Sequence, residues 1–213
     1  PDSPLRAWGL LELDEGTPLT TRRLAIAERI LHHLLGLDGL DGRLAGLVAA
    51  VSAAVPLSPG QAARVPRLAA LIGEARRIRL LGADRATLHS LAAQACAERD
   101  LKLYAVHSAE LPASPEARAE LARLLRRECR LAPAVLLLDV GEGMAPAVLA
   151  AWLSSLDEAV LLIGAVPAEV VGTCLAFELP VPDTVERRVL WREELGSELG
   201  SALASEGARL ATQ

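Results

Sequence analysis

Lysine is almost missing from this chain. Lys102 is the only one in 213 residues, and every other basic side chain is arginine. Arginine is bulkier than lysine and does not act as a compact point charge, so no lysine is at hand for a tight phosphate loop elsewhere in the chain. Aromatic side chains are also scarce, at 2%. Trp8, Trp152 and Trp191 stand singly and form no stacking array for bases; each reads as an anchor filling core or interface space. The three cysteines, Cys96, Cys129 and Cys174, are far apart, odd in number and set in apolar patterns. They read as reduced core thiols of a cytosolic protein. No apolar run reaches the ~20 residues of a membrane span, and no signal peptide opens the chain. The net charge is −5 with basic residues spread along the sequence, which lacks the locally basic footprint of a nucleic-acid binder. The expectation is a cytoplasmic protein with neither a nucleic-acid nor a membrane partner.

What is present fits one sizeable domain with an attached piece: 52% hydrophobic and 23% charged residues. A chain of this size buries roughly 70% of its unfolded surface and needs no disulfide or metal staple. It begins at Pro1 rather than Met, which reads as a piece cut from a longer protein. Residues 1–75 form a lead-in, mainly helical with short strands. Leu10–Leu13 and Leu19–Ile26 flank a turn at Asp14-Glu15-Gly16, and a helix over Glu28–Leu35 stops at Gly36. Helices are expected over Arg43–Val55, ending at Pro56, and from Ser58-Pro59 through Ile72. His32 and His33 are adjacent on a helix, about 100° apart, and cannot chelate one metal together; one partly buried and one exposed histidine is the simpler reading.

From Arg76 onward the alternation is regular. Strands are expected at 78–81, 101–106, 133–139, 159–163 and 175–179, with helices between them and a last helix from Asp183-Thr184-Val185-Glu186 to Leu195. Val135-Leu136-Leu137-Leu138 is apolar throughout, as suits a strand covered on both faces. The pattern predicts an α/β fold, a parallel five-stranded sheet with helices on both faces, over residues 76–196. The Gly/Ser/Ala-rich tail, 197–213, reads as a frayed end or as the beginning of a truncated lid.

In such sheets ligands sit at the carboxyl ends of the strands, where Gly82, Asp139 and Gly164 would cluster. Arg77–Ser90 has the strand, glycine, loop and helix of a phosphate-binding G-x-x-x-x-G-K-[ST] loop. Only its first glycine is kept. The second-glycine position is Thr87, the lysine position Leu88 and the hydroxyl position His89; Arg85 is the only substitute cation nearby. His107, Ser108 and Glu110 can be composed into a Ser/His/acid grouping on paper, but adjacent residues do not face one another, and loop polarity is the better reading.

Together these segments resemble the AAA+ ATPase large subdomain across about residues 74–195. Gly82 stands at Walker A and Val135-Leu136-Leu137-Leu138-Asp139 at Walker B. Val160-Leu161-Leu162-Ile163-Gly164-Ala165 is similar to the sensor-1 strand, and Phe177 through Asp183 with Glu186-Arg187 is similar to the end of the subdomain. The departures fall on chemistry. The water-polarising glutamate after the Walker B aspartate is Val140, with Glu142 two residues late; the sensor-1 position, near Ala165 or Val166, is apolar; and 170–176, where an arginine finger would lie, holds no arginine. The lead-in, from Leu5-Arg6-Ala7-Trp8-Gly9-Leu10 to Ile26–Gly36, resembles the region before the degenerate first ATPase module of large bacterial AAA+ proteins found with phage-tail-like contractile injection systems.

The resemblance implies a degenerate, non-hydrolysing module, a scaffold or partner-docking part of a longer ATP-driven chain with an intact second module. It further implies contacts with the remaining domains of its own chain, ring-type self-association and injection-system proteins as partners. No cofactor is expected. A second reading keeps ATP binding through backbone amides after Gly82, with Arg85 as surrogate cation and Asp139 on magnesium. A third is an unrelated receiver-like or flavodoxin-like module, with Asp84 and Asp139 as its acids, although Lys102 lies on too early a strand for the receiver lysine. Sheet order separates the third reading from the others.

Overall fold

The computed structural model describes residues 4–13, 21 and 23–192. The turn at Asp14-Glu15-Gly16, the expected helix end at Leu195 and the tail over 197–213 lie outside the described residues. The chain opens with a short helix, α1 (Pro4–Ala7), and an antiparallel pair, β1 (Leu11–Leu13) and β2 (Leu24–Ile26), followed by α2 (Glu28–Leu34). His32 and His33 on α2 are both exposed, rather than one of them half-buried.

The helix expected over Arg43–Val55 is not there. A 3-10 turn at Gly42–Leu44 leads instead into β3 (Val48–Ala50), which pairs antiparallel with the edge of the main sheet. The following residues run extended across the next layer, where the amides of Ala54 and Val55 both donate to the Ser90 hydroxyl (3.1 and 2.9 Å). Leu44 and Val48 bury their side chains either way; apolar spacing alone does not separate a helix from an edge strand here, and the unpaired ladder of the neighbouring strand decides it.

The chain then makes α3 (Pro59–Ala62), started by a reciprocal Ser58/Gln61 capping box, and α4 (Val65–Glu74). After these come β4 (Arg77–Leu81), α5 (Arg85–Ala97), β5 (Lys102–His107), α6 (Pro115–Leu131), β6 (Ala134–Val140), α7 (Pro146–Ser154), β7 (Val160–Gly164), α8 (Ala168–Val171) and β8 (Leu175–Glu178). Helical residues 184–192 close the described chain, with the Asp183 carboxylate accepting from the amides of Val185 and Glu186.

Among the described residues the main sheet has six strands rather than five, in the order β3-β5-β6-β7-β4-β8, all parallel except β3. β6 up to Asp139 and β7 throughout are apolar because helices cover them on both sides. On one face α4 and α5 pack against Ile78, Leu80, Leu137 and Phe177; on the other α6 and α7 pack against Val106, Leu138 and Leu162.

Charge as well as apolar contact fastens the lead-in to α6, where Leu44 is buried in one cluster with Leu121, Leu124 and Leu125. Arg127, 1% exposed, donates to the Gly9 carbonyl (2.9 Å) and pairs with Asp41, while Arg29 pairs with Glu128 (2.9 Å). Arg43 adds a second partner for Asp41 and reaches Glu12. Arg126 and Arg130 both lie over the Trp8 ring, at 5.3 and 5.9 Å from its centre.

Candidate functional site

β4 gives way to α5 in three residues, Gly82, Ala83 and Asp84. That is too short for a loop that wraps a phosphate chain, which spends four residues between its two glycines before the helix begins. Thr87, Leu88 and His89 are therefore not loop residues; they already belong to the first turns of α5. Leu88 faces the core.

Gly82 has a packing reason of its own. Its φ is +108°, and a Cβ there would lie 2.1 Å from the Leu179 carbonyl oxygen. Any other residue is strained at that φ and collides with backbone. The same approach continues the ladder between the strands, since Leu179 donates to the Leu81 carbonyl at 2.8 Å.

The start of α5 is occupied by a carboxylate of the chain itself. Asp84 caps the helix, accepting from the Thr87 amide (3.0 Å) and hydroxyl (2.7 Å). These two bonds from Thr87 hold its carboxyl below the ordinary range. A helix N-terminus attracts one anion well, and here Asp84 is that anion.

Beside it lies a second internal pairing. The parallel register of β5 and β6 sets His107 opposite Asp139 at the strand ends. Asp139 is 3% exposed; its Oδ2 accepts from Arg85 Nη1 at 2.9 Å and lies 3.5 Å from His107 Nδ1, whereas its Oδ1 has no hydrogen-bond partner among the described residues. Arg85 is 61% exposed. His89 is within electrostatic reach of Asp139, and its Nε2 is buried with no hydrogen-bond partner among the described residues. Burial pushes its pKa down, against the opposing pull of Asp139.

The other expected positions fall apart from this cluster. Val140 is fully buried in the core on the α6 and α7 side, opposite in the strand alternation to Asp139, and Glu142 is exposed. Ala165 is exposed and bonds through its amide to the Val140 carbonyl (2.8 Å). Gly164 has φ +85°, and a Cβ there would meet that same carbonyl at 2.3 Å and Asp139 Oδ1 at 3.2 Å. Ser108 is buried and accepts from the Gly141 amide at 2.8 Å, so its hydroxyl ties two loops together.

The structure thus brings Arg85, His89 and Asp139 together and adds His107, which sequence reasoning set aside. The signal for His107 was its place at the end of a strand parallel to the one that carries Asp139. Counting histidine as neutral, this cluster carries two carboxylates, Asp84 and Asp139, against the one guanidinium of Arg85. Asp84 is spent on the Thr87 cap, and Asp139 Oδ2 is shared between Arg85 and His107.

β4 lies between β7 and β8. This places the glycine strand between the last strand and the Gly164 strand, the order of a P-loop-type sheet and not the 2-1-3-4-5 order of receiver-like and flavodoxin-like modules. No family model matches the chain, and no curated protein matches it in sequence. Among solved structures, Rhizobiales Trip13 is 12% identical with a TM-score of 0.41, covering 68% of this chain and 66% of its own. A structure of the E. coli MS115-1 HORMA:CdnC:Trip13 complex gives 14% identity and a TM-score of 0.45 over 72% of this chain and 74% of the other. A katanin structure, titled for its self-assembly, gives 15% and 0.46 over 76% and 67%. The chain therefore spans just under two thirds of the Rhizobiales Trip13 chain. Likenesses of this size carry no inference about activity.

Proposed function

We propose that this chain is an AAA+-type module that neither binds nor hydrolyses ATP and serves as a scaffold or partner-docking part of a larger ATP-driven protein. The observation that carries this reading is the three-residue link between β4 and α5, closed by the Asp84 cap and followed by Arg85 in an ion pair with Asp139. Each charge-assisted hydrogen bond to a phosphate is worth roughly 1.5–3 kcal/mol. Without a loop lysine, a magnesium hydroxyl and a second glycine, several such bonds are missing, and affinity falls by about three or more orders of magnitude. Asp84 and Asp139 add repulsion where the triphosphate would lie.

The same geometry speaks against residual nucleotide binding through Arg85 and Asp139. The Arg85 guanidinium is turned to Asp139 through Nη1, so a phosphate competes with that carboxylate for the one cation near Gly82.

The context follows from the resemblance of the lead-in. We infer that the parent chain is a ring-forming ATPase linked to a contractile injection system, with this module contacting its neighbouring domains. The experiment is a titration of the chain with a fluorescent ATP analogue and magnesium, together with a phosphate-release assay. The expected result is a linear, non-saturating signal and no release above buffer. Saturation in the micromolar range overturns the reading.

A further inference from the structure

The sheet ends on one side at β8, and beyond that edge lies a groove of about 370 Å³ bounded by α4. Its lining includes Arg64, Arg67, Leu71, Leu175 and Phe177. The Leu179 amide bonds to the Leu81 carbonyl, and backbone groups alternate in direction along a strand. The amides and carbonyls of Leu175 and Phe177 therefore face β4, and those of Ala176 and Glu178 face outward. No strand pairs with them among the described residues. An open row of donors and acceptors is a template for a further strand.

The side chains around this edge are also unspent. Arg64 and Arg67 stand one helical turn apart at the start of α4, and neither guanidinium makes a hydrogen bond or ion pair among the described residues. Leu175 is 43% exposed. Side chains alternate along β8, so Leu175 and the buried Phe177 face α4; Glu178 also lines the groove, and among the described residues it makes no ion pair with either arginine. Gln61, just before α4, bonds to the Pro180 carbonyl at 3.2 Å. This sets the two arginines near the carboxyl end of β8 and the Leu71–Leu175 shelf near its start.

We propose that the free edge of β8 docks an extended acidic segment of a partner protein by strand addition. Same-face residues of a strand lie about 6.7 Å apart, and helix residues three apart have Cβ atoms about 5–6 Å apart. Two carboxylates at alternate positions therefore match Arg64 and Arg67. The next same-face residue, an apolar one, covers Leu175. The pattern is acidic-x-acidic-x-apolar for an antiparallel strand and its reverse for a parallel one. This gives the docking role proposed above its surface and rests on that reading for its purpose; the peptide and nucleotide titrations probe different places, so each idea can fail alone.

The test uses the whole 213-residue chain and two fluorescein-labelled peptides, Ser-Glu-Thr-Glu-Thr-Leu-Thr-Ser and its reverse, with glutamine versions as controls. At least one acidic peptide is expected to bind saturably and to slow hydrogen exchange at the Ala176 and Glu178 amides. The double variant R64E/R67E is expected to weaken it about tenfold or more. A176P removes an outward amide that the β4 ladder does not use, and is expected to weaken it by a similar factor while the fold survives. Absence of saturation overturns the proposal, as does equal binding by the glutamine peptides or by both variants. Ala176 and Glu178 amides already protected in the free chain overturn it too, because another part of this chain then covers the edge.

Discussion

Asp139 shows how much of this site depends on single side chains. A carboxylate 3% exposed is costly to leave unpaired, and its principal partner is Arg85. Arg85 is itself 61% exposed, so solvent screens the pair and its worth is modest. Replacing Arg85 with Ala is expected to cost about 1 kcal/mol in a urea titration, with no change in nucleotide response. His89 gives a pH signature. Burial lowers its folded-state pKa, so the unfolded chain takes up a proton first as pH falls, and stability present above the ordinary value of about 6.5 drains away below it. His89→Leu is expected to flatten the melting temperature between pH 7.5 and pH 5; an unchanged slope contradicts it. Gly82 and Asp139 were legible in the sequence as strand-end residues. The pairing of Arg85 with Asp139 was not, because 54 residues separate them and only the sheet brings them together.

At the scale of elements, α6 is the piece that ties the lead-in down. Arg127 holds both Asp41 and the Gly9 carbonyl from a fully buried position. Arg127→Met leaves Asp41 with Arg43 alone and the carbonyl unpaired, and is expected to cost about 1–3 kcal/mol. Limited proteolysis is expected to show the lead-in cut well before the sheet; resistance equal to that of the parent chain contradicts this. Acid acts on the same joint. Burial alone would raise the Asp41 pKa, but hydrogen bonds from the Arg43 side chain and amide and from Arg127 prevail and hold it well below the carboxylate range. Its contribution is complete above the unfolded value of about 3.9 and is lost as pH falls below it. Tryptophan emission, which includes Trp8 beneath Arg126 and Arg130, is expected to shift below about pH 4 in the parent chain and less in Asp41→Asn. The core strands β6 and β7 could be read from their unbroken apolar runs. β3 could not, because its Ala/Val composition suits either a helix or an edge, and the choice is made by β5.

Over the whole molecule, strand order is what separates the competing architectures, and no local pattern encodes it. Five parallel strands follow from the alternation of apolar runs and helices; that β4 inserts between β7 and β8 follows from how those layers stack. Sequence motifs suggested a phosphate loop that had lost its side chains. In the structure only Gly82, Ala83 and Asp84 link β4 to α5, and the Leu179 carbonyl oxygen lies where a Cβ on Gly82 would sit. The most direct measurement is an amide NMR titration of the isotopically labelled chain with ATP and magnesium, read at Gly82 through Thr87. Up to millimolar nucleotide, these amides are expected to stay in place, with Thr87 still bonded to Asp84. Saturable, magnesium-dependent shifts at Gly82, Ala83 and Arg85 would show a working nucleotide site and contradict the passive role.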